Sequence, residues 1–236
     1  MRYDRVITGR FLSRPNRFIA KVEVEGVTHT VHVKNTGRCA ELLVPGCTVY
    51  LAQGSSPTRK TAYDLIATQK VREGAAPLLI NMDSQVANDV AEEYLLRGDL
   101  FPVGTTVRRE VTYGDSRFDF YLQNGTRKAY LEVKGVTLER DGVAAFPDAP
   151  TLRGVKHIRE LERAAGEGYE AYVLFVVQMK GVRVLRPNDT THKAFGDALR
   201  HAAANGVEVL AIDCNVTPDG ISPGERVAVD LDEYLL

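Results

Sequence analysis

The chain has 236 residues, 44% of them hydrophobic, and a formal net charge of −1, enough apolar material for one large core or two modest ones. It contains no run of about 18 apolar residues, and the opening Met1-Arg2-Tyr3-Asp4-Arg5 lacks the apolar stretch of a secretory leader, so a soluble cytoplasmic protein is expected. Cys39, Cys47 and Cys214 form neither a CxxC pair nor a tight Cys/His cluster, which leaves a zinc site or a disulfide framework unsupported.

The charge is unevenly spread. Before Ser84 there are 12 Lys+Arg against 7 Asp+Glu (+5), and from there on 18 against 24 (−6). A basic small half suits an electrostatic footprint for nucleic acid, and equally an ordinary solvated surface.

Residues 4–12, 17–25 and 28–34 read as strands; Phe18, Ala20, Val22 and Val24 alternate with Ile19, Lys21, Glu23 and Glu25, and Gly26 marks a tight turn. After Asn35-Thr36-Gly37 a short helix is expected up to Leu43, stopped by Pro45-Gly46, followed by strands at 47–53 and 61–72. Five short strands with a helix between the third and fourth match a five-stranded OB barrel, or another small β-barrel.

From Ser84 the period changes. Ala87, Val90, Ala91, Tyr94 and Leu95 fall on one helical face, with Asp83 or Ser84 as N-cap and Gly98 at the end. A strand at 106–113, a hairpin at 117–134, a helix at 151–165, an apolar strand at 171–177, a helix at 191–204 and a strand at 207–214 follow. This order predicts a mixed α/β sheet with helices on both faces. The boundary falls near 80–84, giving an OB-like domain at 1–83 and an α/β domain at 84–236.

The hairpin carries the chemistry. A two-residue Asn124-Gly125 turn pairs Gln123 with Thr126 and Asp119 with Tyr130. Alternation then puts Phe118, Phe120, Leu122, Ala129, Leu131 and Val133 on a core face and Asp119, Tyr121, Tyr130, Glu132 and Lys134 on the other. Asp119 and Glu132 become diagonal neighbours, roughly 5–8 Å apart at their β-carbons, close enough to share a hard divalent cation. Lys134 on the same face can steady charge developing on a phosphate. The same D…ExK pattern also decorates solvent-facing hairpins as plain ion pairs.

Flanking residues are candidates of the same kind. Glu92, four residues after Asn88, is a candidate third acid or a surface Glu. The 151–165 helix buries Leu152, Val155, Ile158 and Leu161 in this reading and exposes a row including Arg153, Lys156, His157 and Arg159, fit to track phosphates or simply solvated. His157 can be a proton carrier or a structural His. Gln178 ends the apolar strand at the same sheet edge. Phe146-Pro147-Asp148-Ala149-Pro150-Thr151 is a stiff connector with a cap.

Four strings are distinctive: Asn35-Thr36-Gly37 with Leu42-Leu43-Val44-Pro45-Gly46; Ser116-Arg117-Phe118-Asp119-Phe120; Leu131-Glu132-Val133-Lys134-Gly135-Val136-Thr137-Leu138; and Phe146 to Thr151 with Arg153-Gly154 and Lys156-His157. Together they resemble the sugar fermentation stimulation protein family, SfsA, from the first strand to the region of Cys214. The resemblance implies an OB-like domain followed by a PD-(D/E)xK nuclease-like domain, and a cytoplasmic protein that binds DNA without clear sequence preference. It puts Asp119, Glu132 and Lys134 on the nuclease motif and Glu92 on the first-helix acid. The metal positions are then Asp119, Glu132 and the intervening Val133, with Mg²⁺ or Mn²⁺ as the expected ion.

Two functions follow as expectations. One is a metal-dependent nuclease on DNA, single-stranded DNA or RNA, gripping the strand through Arg14, Arg17, Phe18 and Arg38 and through Lys156, His157 and Gln178. The other is a non-catalytic, sequence-nonspecific DNA-binding regulator of sugar (maltose) utilisation genes. A sugar-binding module would want an aromatic platform, and the chain has no Trp.

Overall fold

The computed structural model describes residues 1–35, 37–54 and 60–233, so Thr36 of the Asn-Thr-Gly string lies outside the described residues. The first half builds β1 (Val6–Asn16), β2 (Ile19–Val24), β3 (Val27–Val33), β4 (Thr48–Gln53), β5 (Tyr63–Arg72) and β6 (Ala75–Asn81). These pair in the order β3-β2-β1-β4-β5-β6, and a parallel contact of His32 with Asp64 and Val33 with Leu65 closes β3 onto β5. This is the OB connectivity expected from the sequence, with β6 as an extra hairpin partner of β5.

The short helix expected before Leu43 does not form. Cys39 has φ 46°, and its carbonyl accepts from both Leu42 N and Leu43 N, leaving one isolated turn. A segment this short, bounded by Pro45-Gly46, cannot repay helix nucleation. Arg14 holds it instead: its guanidinium donates to the carbonyls of Gly37, Arg38, Arg17 and Asn35 at 2.6–2.8 Å. We expect Arg14→Ala to lower stability by about 2 kcal/mol, the worth of roughly one hydrogen bond from a charged donor, because two of the four bonds are exposed and their carbonyls regain water; a denaturant midpoint unmoved with unchanged slope would contradict it.

The second half runs α1 (Val86–Leu96), β7 (Thr106–Tyr113), β8 (Ser116–Asn124), β9 (Arg127–Val136), β10 (Glu139–Arg140), β11 (Val143–Phe146), α2 (Leu152–Gly166), β12 (Glu170–Val177), β13 (Val184–Pro187), α3 (Asp189–Ala204), β14 (Val207–Thr217) and β15 (Gly220–Val229). Its strands join in the order β10-β11-β13-β15-β14-β12-β9-β8-β7, with β9, β12 and β14 mutually parallel. β12 is apolar throughout because it is covered on both faces. Tyr172, Leu174 and Val176 pack with Val90 and Leu95 of α1, whereas Val173, Phe175 and Val177 pack with Ile158 of α2 and Phe195 of α3. The fold is thus a mixed α/β sheet with helices on both faces, preceded by an all-β OB domain.

The two halves are joined by buried polar contacts. Lys70 of β5 donates to the carbonyl and the carboxylate of Glu139, which is 2% exposed. Lys34 pairs with Asp83 at 2.5 Å, and the Ser84 amide donates to the Lys34 carbonyl. Among the described residues no helix is long and apolar enough to cross a membrane.

Candidate active site

Gly125, with φ 58°, and Thr126 form the hairpin turn, so Asn124 pairs with Arg127 and Phe120 with Leu131. The turn sits one residue later than the expected Asn124-Gly125, because the positive φ falls on the glycine at its first central position. The register therefore moves by two residues. An even shift keeps side chains on their faces, and it brings Asp119 level with Glu132 rather than diagonal to it.

At Asp119 the backbone ladder gives way to a side chain. Its Oδ2 accepts from Val133 N at 2.8 Å, while Oδ1 accepts from Asn88 Nδ2 of α1 at 2.9 Å. Opposite it on β7, Glu110 has φ 58°, a rare conformation for a non-glycine residue. The twist here sends Phe118 to the α2 side, against Tyr130 and the His157 ring, and Phe120 to the α1 side. Phe118 is thus not on the core face that simple alternation gave it.

Glu132 is 3% exposed and points to α2. Its Oε1 accepts from Lys134 Nζ at 2.6 Å and meets His157 Nδ1. Its Oε2 is buried without a hydrogen-bond partner among the described residues. On the far side of the imidazole, Arg153 Nε donates to His157 Nε2 at 3.4 Å. That contact assigns the ring proton to Nδ1, where it faces the carboxylate.

The electrostatics separate the two acids. Asp119 is pushed above its ordinary value, first by burial and then by the charge of Glu132, against the opposing bonds from Val133 and Asn88. Burial also raises Glu132, but the His157 hydrogen bond and the Lys134 charge outweigh it and hold its carboxyl below the usual range. Asp119 has neutral hydrogen-bond donors and no ion-pair partner among the described residues. The cluster of Asp119, Glu132 and Lys134 is one negative charge in excess.

The other expected residues are placed as follows. Glu92 pairs with Arg109 at 3.8 Å, one turn beyond Asn88, and it is Asn88 that reaches Asp119. His157 is buried against Glu132 and is not on the polar side of α2, while Leu152, expected in the core, is 81% exposed. Both differences follow from where the buried stripe lies: it runs through Gly154, Val155, His157, Ile158 and Leu161, so Leu152 precedes it and His157 falls within it. Lys156 is exposed and donates to the Asp115 carbonyl at 2.9 Å. Gln178 is 1% exposed and is used internally, its Nε2 donating to the carbonyls of Asn81 and Asp83. Arg14 is likewise spent on carbonyls. Arg17 and Arg38 are exposed, and the Arg17 guanidinium lies 4.7 Å from the centre of the half-exposed Phe18 ring.

A family profile described as "Sugar fermentation stimulation protein RE domain" matches residues 85–220, and one described as "SfsA N-terminal OB domain" matches residues 12–75. The chain belongs to the sugar fermentation stimulation protein family. A curated homolog of that family from Desulfitobacterium hafniense is 55% identical over 99% of this chain and 100% of its own. Another, from Clostridium beijerinckii, is 50% identical over 98% and 100%. Among solved structures, "The structure of Pyrococcus Furiosus SfsA in complex with Ca2+" superposes with a TM-score of 0.83 at 26% identity, covering 98% of both chains.

A divalent ion tests the fit of the SfsA site. Among the described residues no group of three or more His, Cys, Asp and Glu side chains is arranged to hold a metal. Two carboxylates and a backbone carbonyl are nonetheless a sufficient protein share for Mg²⁺, which keeps several waters and takes substrate phosphate oxygens for the rest. The unpartnered Oε2 of Glu132 and the uncompensated Asp119 fit that role.

The raised Asp119 gives a signed expectation. In the metal-free protein a raised carboxyl favours the fold at low pH, and that contribution fades as pH rises through its folded value. Cation binding requires the ionised form, so Mn²⁺ affinity should rise with pH above the ordinary carboxylate range, with proton release on binding at the acid end. Calorimetry in buffers of different ionisation enthalpy measures it, and affinity flat between about pH 4.5 and 7 would contradict the assignment of Asp119.

Proposed function

We propose that this member of the family is a divalent-metal-dependent nuclease that hydrolyses phosphodiesters of DNA, single-stranded DNA or RNA. Mg²⁺ or Mn²⁺ would be held by Asp119, Glu132 and the Val133 carbonyl. The observation that carries the reading is a pair of neighbouring carboxylates: buried Glu132 has an oxygen without a hydrogen-bond partner, and half-buried Asp119 has no ion-pair partner, among the described residues. That the Pyrococcus furiosus relative is described in complex with Ca²⁺ supports a divalent site here.

When bound, such an ion polarises a phosphate oxygen and lowers the pKa of its water. The protein groups do the positioning. Asn88 and the Val133 amide fix the Asp119 carboxylate; His157 and Lys134 fix Oε1 of Glu132, leaving Oε2 directed elsewhere. The Lys134 ammonium is the cation available to a phosphate at this point. Arg17, Phe18 and Arg38 supply an exposed basic and aromatic surface for the strand, and a nucleic-acid substrate would place the protein in the cytoplasm.

Incubating the protein with single-stranded DNA, double-stranded DNA and RNA in Mg²⁺ or Mn²⁺ should give cleavage of at least one, abolished by EDTA. All three intact in both metals would remove the nuclease reading. The exposed Arg17–Phe18 pair favours a second reading, a DNA-binding regulator of sugar (maltose) utilisation genes without cleavage. It predicts binding that weakens steeply with salt and ignores chelator.

A further inference from the structure

Three stretches that the metal site leaves unused meet at one place. Asn35 and Gly37 from the barrel, Gly135 to Leu138 from the end of β9, and Phe146 with Asp148 from the loop before α2 line a cleft of about 160 Å³, completed by Ser84 and Gln178. The cleft begins at Gly135, the residue after Lys134, so it adjoins the candidate active site.

Two of its oxygens are left to accept hydrogen bonds, and none of its described lining residues is Lys or Arg. Gln178 is 1% exposed, and its Nε2 donates to the Asn81 carbonyl and side chain and to the Asp83 carbonyl, which fixes the amide orientation. Its Oε1 therefore faces Gly135, where an added β-carbon would come within 2.6 Å of it. Among the described residues no donor reaches this oxygen. Asp148 is likewise without an ion pair or hydrogen-bond donor among them, and its carboxylate lies so close to Gly37 that a β-carbon there would collide with it. Phe146, packed on Phe175 and Phe195, gives an apolar side.

We propose that this cleft is a nucleobase subsite that takes guanine from a single strand whose backbone runs past Asp119, Glu132 and Lys134; the proposal rests on the nucleic-acid reading above. A carboxylate and an amide oxygen, in a lining without a Lys or Arg side chain among the described residues, disfavour a phosphate and select N–H donors. Guanine presents two adjacent donors, N1–H and the 2-amino group, which match one carboxylate. Thymine and uracil set one N–H between two carbonyls that would meet oxygens, and adenine and cytosine set their amino group beside a ring acceptor. These edges are free in an unpaired strand. At the Gly37 wall of the cleft the neighbouring Arg38 is exposed, and the Gly37 carbonyl is tied through Arg14 to the Arg17 turn.

The test is fluorescence anisotropy of the full chain in EDTA with labelled single-stranded 12-mers: alternating guanine and thymine, the same with hypoxanthine for guanine, and all thymine. The guanine strand should bind on the order of tenfold more tightly than the thymine strand, with hypoxanthine between, as expected for a paired donor contact. Asp148→Asn, or Gly37→Ala acting by displacing the carboxylate, should bring the ratio close to one; melting curves check that each variant is folded. Equal affinities for the three strands in the unmodified chain would overturn the subsite and leave the nucleic-acid reading standing. A guanine preference that survives in both folded variants would also overturn it. Failure to bind any strand would remove the nucleic-acid reading, and the subsite with it.

Discussion

Asp119→Asn should abolish measurable Mn²⁺ binding and, with it, cleavage. The substitution keeps the shape of the side chain: its one oxygen can accept from Val133 N, and its new amide NH2 can donate to Asn88 once that amide turns over, in place of the 2.8 and 2.9 Å bonds that Asp119 accepts, so the fold is retained. It removes one of only two carboxylates, and loss of a mere supporting group around a metal already costs about 10–100-fold in affinity. The apo protein should be slightly stabilised, because burial and the Glu132 charge both disfavour ionised Asp119. Lys134→Ala should behave differently. Its ammonium pairs with Glu132 at 2.6 Å, so metal binding should persist while kcat falls on the order of 10²–10³-fold, the usual loss for one group stabilising transition-state charge. Metal-binding calorimetry beside single-turnover cleavage separates the two. Equal loss of metal in both variants would assign Lys134 a structural role only.

Lys70→Ala should be the most destabilising change at the junction of the two halves. It leaves the Glu139 carboxylate, 2% exposed, with the Gly142 amide as its remaining donor. Breaking a buried pair from one side costs about 3–5 kcal/mol because the orphaned charge stays in the interior. Lys70→Met with Glu139→Gln should recover much of that loss, since desolvation then falls on neutral groups. The pH dependence has a definite sign. Burial raises Glu139, but the Lys70 bond and the Gly142 amide outweigh it, so its folded value lies below the ordinary one. Its stabilising contribution is present above the unfolded carboxyl pKa and is lost as pH falls through the folded value. Chemical denaturation at pH 7 and near pH 3 measures both effects; an unchanged midpoint in Lys70→Ala would show the pair to be marginal.

Much of this fold is legible in residue patterns because the strong signals are local. The 3.6-residue period of Ala87, Val90, Ala91, Tyr94 and Leu95, and the apolar run later found in β12, depend on burial alone and need no knowledge of partners. Strands β6, β13 and β15 escape such reading. β6 opens with Ala75-Ala76-Pro77, β13 has four residues, and β15 contains Pro223 and Gly224, so their pairing is set by neighbours distant in sequence. The site divides in the same way. Asp119, Glu132 and Lys134 can be grouped from strand alternation, which survives a two-residue register error. The contacts of His157 and Asn88 cannot, because they depend on how α1 and α2 seat on opposite faces of the sheet. A helical His beside Arg153 and Lys156 reads as part of a basic surface until the seating of α2 over Glu132 is known. Arg14 and Gln178 look like strand-end polar groups ready for a ligand, yet the carbonyls that occupy them belong to loops without periodicity.

Anomalous difference density from a crystal soaked in Mn²⁺ near neutral pH shows whether Asp119 and Glu132 together hold one divalent cation. A single peak is expected in contact with Asp119, Glu132 Oε2 and the Val133 carbonyl, absent from Asp119→Asn. A well-ordered site without a peak at saturating Mn²⁺, or a peak equally strong in Asp119→Asn, would contradict it.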